Sequence, residues 1–194
     1  LKRGQGLGGR GQGAKDALPH ASTPPRFPLK ALFRHQPILL SSLLWGIGYH
    51  GLALLWITDL HPLTWLGIPW LGSIAIALFC WAFITLWGAA LVVIWAFCFR
   101  LLCARFYPLH TFTRVLIGAA LWCGLETLWS WGPLYWTSLS YTQSPYNLPI
   151  LHLGQLSGQF TVTAAIIAIN GLLAEAWLSS TVLFPSRSEE RRVG

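Results

Sequence analysis

Few residues in this chain could do chemistry, and one stands apart. Glu126 is the sole charge in the run LWCGLETLWSWGPLYWTSLSYTQSPYN, positions 121 to 147. An ionisable side chain inside an apolar segment faces protein or a water-filled cavity and is a functional candidate by default. Two roles fit Glu126: a carboxylate facing substrate, or a hydrogen-bonded group that holds helices together. His50, beside Tyr49, lies in a second apolar run, WGIGYHGLALLWIT. It reads as a structural polar contact or as part of a cavity. Asn170 is mid-run and polar, and is expected to bond across helices. No nucleophile, base and orienting group can be assembled from these segments, so no catalytic residue is assigned.

Other sites are argued against by spacing. Cys80, Cys98, Cys103 and Cys123 form no C-x-x-C pair, and buried thiols of this kind behave as small hydrophobes. His50, His61, His110 and His152 fall in separate segments, unlike the close ligand spacing of a zinc site. No metal and no cofactor is expected. Gly4 to Gly9 spells G-x-G-x-x-G, but no strand precedes it and no helix follows, so the dinucleotide reading fails. The net charge of +7 does not imply nucleic acid. The basic residues flank apolar runs, and no basic groove interleaved with aromatics is visible.

The elements that must position Glu126 and His50 follow from composition. The chain is 54% hydrophobic and 10% charged, where a soluble domain carries about a quarter charged residues. Residues 1–36 are basic, rich in Gly and Pro, and read as disordered. Residues 37–180 form a membrane domain, and 181–194 a charged tail. Apolar runs predict four spanning helices at about 38–58, 69–104, 115–131 and 151–178. The expected fold is an all-α, polytopic transmembrane bundle.

The second run is long, roughly 54 Å as a helix. It either stays whole or breaks near Gly88. Four crossings place every basic flank on one side and the two Lys- and Arg-free loops on the other, so the run is read as one helix with both chain ends cytoplasmic. Trp56, Trp65 and Trp70, with Trp129, Trp131 and Trp136, then gather at the outer face, where indoles favour the interface. The segment GPLYWTSLSYTQSPYNLP is expected to fold back and pack on protein. Gly154 and Gly158 make a G-x-x-x-G at the start of the fourth helix, read as a packing motif, with dimerisation the alternative. The chain begins with Leu and contains no Met, so the recorded N-terminus is expected to be incomplete.

Two stretches carry a family resemblance. LWGIGYHGLALLWIT (Leu44 to Thr58) resembles the glycine- and aromatic-rich third membrane helix of apolipoprotein N-acyltransferases, ending in their W-[IV] pattern. LWCGLETLWSWGPLYWTSLSYTQ (Leu121 to Gln143) resembles that family's LW…E…W…GYSQ region, with Trp122, Glu126, Trp136 and Gln143 in register. LHLGQLSGQFTVTAAIIAINGLLA is similar to the next family helix. The wording is most like that of cyanobacterial members.

The resemblance implies transfer of an acyl chain from a membrane phospholipid to the N-terminal S-diacylglyceryl-cysteine of apolipoproteins. That reaction is the last step of lipoprotein maturation, at the cytoplasmic (inner) membrane. It also implies a nitrilase-like domain with a Glu-Lys-Cys triad, which has no counterpart in these residues. The four helices would match the third to sixth of the family's eight, so this chain alone is expected to be inactive. Trp56, Trp122, Glu126, Trp136, Tyr141 and Gln143 are expected to position lipid or substrate. One departure is Trp129, where other members often carry Arg. Two other readings are a stand-alone membrane scaffold for a separate catalytic partner, such as a polyprenol-phosphate mannosyl synthase, and a small transporter. The transporter lacks paired midplane charges and an internal repeat.

Overall fold

The computed structural model describes residues 36–183; the expected basic segment up to 35 and the expected tail from 184 lie outside them, while Gln36 and residues 181–183 are helical. Every regular element among the described residues is helical. Four long helices dominate: α1 (Gln36–Ala53), α2 (Trp70–Arg105), α3 (Thr111–Ser130) and α6 (Gln159–Leu183). Two short ones, α4 (Leu148–Leu151) and α5 (Gly154–Ser157), precede α6. Three 3-10 turns, Leu55–Leu60, Thr64–Leu66 and Leu139–Gln143, fill the connections. Trp70–Arg105 and Gln159–Ser180 are each long and apolar enough to cross a membrane.

The helices form two pairs. α1 runs along α2, α3 runs along α6, and α2 joins the pairs by packing on α3. Glycines make the seams. A Cβ on Gly46 would sit 2.9 Å from the Ala89 backbone, and one on Gly171 would sit 3.2 Å from Val115. Such small residues let helix backbones approach where lipid offers no hydrophobic drive. Three indoles then staple the seams. Trp81 Nε1 donates to the Gly51 carbonyl at 2.9 Å, and Trp95 Nε1 to the Gly118 carbonyl at 2.9 Å. Trp129 Nε1 donates to the Trp87 carbonyl at 3.1 Å. Near the far end of the α3–α6 pair, Arg114 and Glu175 form an ion pair and hydrogen bond.

The helix limits differ from those read in the sequence. α2 is unbroken at Gly88, where the ring of His50 occupies the space that a side chain would fill. α1 ends at Ala53 and tightens into the turn Leu55–Leu60, whose Thr58 hydroxyl bonds the Leu55 carbonyl at 2.7 Å. Pro62, with no N–H, then closes off any continuation. α3 starts a turn before the apolar run, because its first turn accommodates Arg114 beside Glu175. The expected fourth helix is continuous only from Gln159. Gly158 has φ 68°, a conformation open to glycine but not to a helix interior. Gly154 and Gly158 therefore do not share one helix face: a Cβ on Gly158 would meet nothing within 4 Å, whereas one on Gly154 would lie 3.7 Å from Val162 of α6.

Glycine substitutions test this packing. A Cβ at Gly88 would lie 2.5 Å from His50 ring atoms, whereas one at Gly124 would meet nothing within 4 Å. Gly88→Ala is expected to destabilise the bundle by about 1–3 kcal/mol. Gly124→Ala should be neutral or stabilising, by up to about 1 kcal/mol. Thermal unfolding in detergent reads both.

Candidate functional site

The site begins with a short irregular segment inside the bundle. Thr137, Ser138, Leu139 and Ser140 are all buried, although they belong to the connection after α3. Irregular backbone at such depth must find its hydrogen bonds in protein. α1 supplies two partners. The Tyr49 hydroxyl donates to the Thr137 and Ser138 carbonyls at 3.3 Å each. His50 Nδ1 shares a hydrogen bond of 2.6 Å with the Thr137 hydroxyl. Within the segment Ser138 caps the 3-10 turn: its hydroxyl accepts from Ser140 N–H at 3.3 Å and lies 2.8 Å from the Ser140 hydroxyl. Thr163 of α6, itself fully buried, faces Ser138 with hydroxyl oxygens 3.5 Å apart.

Glu126 closes the cluster from α3. It is 0% exposed. The hydroxyls of Ser138, Thr163 and Tyr135 and the Trp122 indole surround its carboxyl. No hydrogen bond of full geometry reaches either oxygen, nor leaves the Trp122 N–H. Leaving a buried carboxyl unbonded costs about 1–3 kcal/mol or more. Four donors around one acceptor group are the arrangement that meets this demand by small side-chain rotations. Burial, and then the Glu126 carboxyl, pushes the Tyr135 phenol upward, so it stays a neutral O–H donor. The carboxyl thus sits where α3, α6 and the irregular segment meet.

The residues singled out in the sequence separate into three places. Trp122 and Glu126 share the buried cluster. Trp122 is 3% exposed, its ring edge-on to Trp45 at 6.3 Å and to Trp95 at 5.5 Å. Trp56 and Trp136 meet each other instead, tilted with ring centroids 5.8 Å apart, and are both exposed. Tyr141 and Gln143 find their hydrogen-bond partners elsewhere. Tyr141 donates to Gln159 Oε1 at 2.8 Å, tying the turn to the start of α6, and Gln143 accepts from Asn147 Nδ2 at 2.6 Å. His50 is 1% exposed and clasps Thr137. Asn170 was expected to bond across helices; its amide bonds the Ile166 carbonyl of its own helix at 2.8 Å, and among the described residues no bond from it to another helix is seen. Trp129 lies over Trp87, with centroids 5.4 Å apart.

Sequence reasoning missed Thr137, Ser138, Ser140, Tyr135 and Thr163 individually. The signal was the density of hydroxyls in LYWTSLSYT, which marked the segment but not its partners. Beside the cluster lies a mostly apolar groove of about 650 Å³. Its lining includes Trp45 of α1, Trp95 of α2, Trp122 of α3, Leu139, and Ile166 and Ile167 of α6. Its volume is that of a small-molecule site.

This arrangement defines a class: a helical bundle with two helices of membrane length and, among the described residues, a carboxyl buried beside an irregular segment. Comparison with known proteins gives the family. The apolipoprotein N-acyltransferase N-terminal domain matches residues 25–172. An apolipoprotein N-acyltransferase of Nostoc sp. is 56% identical over 142 residues, covering 73% of this chain and 28% of the relative. One of Synechocystis sp. is 48% identical over 141 residues, covering 70% and 27%. One of Thermosynechococcus vestitus is 44% identical over 135 residues, covering 69% and 26%. No solved structure matches. The chain belongs to the apolipoprotein N-acyltransferase family. It spans under a third of the length of these relatives.

The clasp on Thr137 can be tested directly. Thr137→Val keeps the shape but removes the partner of His50, and should destabilise the fold by about 1 kcal/mol. A double-mutant cycle with His50→Phe should show the two effects to be non-additive.

Proposed function

We propose that these residues are the membrane part of an apolipoprotein N-acyltransferase, which moves an acyl chain from a phospholipid to the N-terminal diacylglyceryl-cysteine of an apolipoprotein. In this reading all four long helices cross the cytoplasmic membrane, with both ends on the cytoplasmic side. α1, at 18 residues, and α3, at 20, are each close to one hydrocarbon thickness as helices. The connections at 54–69 and 131–158 then lie at the outer face. Their exposed Trp56, Trp65, Trp70, Trp131 and Trp136 suit the headgroup boundary.

The observation that carries the reading is the buried Glu126 cluster beneath this aromatic layer. Its role is positioning. Glu126 holds Ser138 and Tyr135 against α3 and α6, and this sets where Trp136 and Tyr141 stand for an incoming lipid. The acyl-transfer chemistry itself is assigned to a Glu-Lys-Cys domain outside these 194 residues. Cys123 serves packing: its thiol bonds the Phe160 carbonyl at 3.5 Å.

The test uses the intact gene product and this chain side by side, with phospholipid vesicles and a diacylglyceryl lipopeptide. This chain alone should give no turnover. In the intact protein Glu126→Leu should lower acyl transfer by about 10–100-fold, through misplacement rather than lost chemistry. Glu126→Gln, which keeps size and hydrogen bonding, should retain most of it. Unchanged kinetics for Glu126→Leu would contradict the positioning role, and turnover by this chain alone would contradict the placement of the chemistry.

A further inference from the structure

We propose that residues Trp136 to Tyr141 are a strap that fastens the α1–α2 pair to the α3–α6 pair. Its release lets the two pairs turn about the seam between α2 and α3. Two indoles pin that seam: Trp95 Nε1 to the Gly118 carbonyl at 2.9 Å, and Trp129 Nε1 to the Trp87 carbonyl at 3.1 Å. Trp87 and Trp95 lie eight residues apart on α2, about 12 Å along its axis. Two pins on one line join two bodies but leave rotation about that line free, as in a hinge. Stopping the rotation takes an attachment away from the seam, between α1 and the α3–α6 pair. α1 packs on α2 and has no comparable packing on α3 or α6. Trp45 does reach Trp122, edge-on at 6.3 Å, but an apolar contact of that kind slides without breaking a bond.

The strap supplies the attachment, and its two halves are held by different pairs. Trp136 to Ser138 belong to α1. Thr137 is taken at both of its polar groups, the carbonyl by the Tyr49 hydroxyl at 3.3 Å and the hydroxyl by His50 Nδ1 at 2.6 Å. The Tyr49 hydroxyl also reaches the Ser138 carbonyl, and Trp136 leans on Trp56 just past the end of α1. Ser138 to Tyr141 belong to α6. Thr163 faces Ser138 with hydroxyl oxygens 3.5 Å apart, and Tyr141 donates to Gln159 Oε1 at 2.8 Å. The turn Leu139–Gln143 packs on α6 as well. Leu139, at the centre, is buried in one cluster with Leu91 and Val92 of α2 and Trp122 of α3. Hydrogen bonds weaken steeply with angle, so turning the pairs apart must break them in one half or the other. This device stands independently of the reaction proposed above.

The experiment places this chain in lipid nanodiscs with spin labels carried on p-acetylphenylalanine, so that its free cysteines stay in place. Double electron–electron resonance reads Leu44 of α1 against Leu173 of α6, with Leu44 against Leu101 of α2 as control; all three side chains are exposed. In the wild type the two distance distributions should be equally narrow. Tyr49→Phe with Thr137→Val cuts the α1 half, and Thr163→Val with Tyr141→Phe cuts the α6 half. Each should widen the α1–α6 distribution about twofold or more and leave α1–α2 unchanged. A strap fails when cut at either end, so widening from one double variant alone would overturn the proposal. An unchanged α1–α6 distribution in both would overturn it too, as would equal widening of both distances, the mark of general loosening. The wild-type reading stands whatever the variants do: an α1–α6 distribution broader than α1–α2 would mean that nothing fastens the pairs, and would overturn the strap.

Discussion

Everything in this bundle is arranged around one requirement: an irregular stretch of backbone sits inside an apolar helical assembly and must have its polar groups met there. Helices satisfy their own backbone, but residues 137–140 are not helical at their start and are buried. Backbone polar groups buried in this way must be paired within the protein. Side chains of the surrounding helices serve it instead. Tyr49 takes two carbonyls, His50 takes the Thr137 hydroxyl, Thr163 faces Ser138, and the Ser138 and Tyr135 hydroxyls lie about the Glu126 carboxyl. The carboxyl that is conspicuous in its run lies beside this segment.

The same requirement explains the distribution of small and large residues. For His50 to reach Thr137, its ring must lie across α2, and Gly88 leaves the space for it. Gly46 lets α1 come close enough to Ala89 for this to happen. Trp81, Trp95 and Trp129 then fix the seams through hydrogen bonds to backbone carbonyls, a use of indole that combines area and direction.

Much of this was legible in the residues, for identifiable reasons. Long apolar runs with basic flanks announce helices, so four long helices could be read. Their ends could not: Thr58 and Gly158 redirect the chain by local geometry that apolarity does not record. Glu126 was legible because a charge in an apolar run is conspicuous. Its partner Thr163 was not, because it is one hydroxyl among many and lies 37 positions further along the chain. Asn170 was misread because a mid-helix amide can satisfy itself on its own turn, an outcome that spacing cannot distinguish from a bond across helices. Trp56 and Trp136 were each identified, but their pairing depends on how two separate connections fold over the same end of the bundle.

The central claim is that residues 137–143 are a fixed part of the bundle, held from three helices. The most direct measurement is amide hydrogen exchange of this segment in lipid nanodiscs, compared with Leu63–Gly67 in the first connection. The account predicts slow exchange at Leu139 to Tyr141, close to that of mid-helix α3. Exchange as fast as in the first connection would mean that the segment is an ordinary surface loop. In that case Glu126, His50 and Tyr49 would not be holding it.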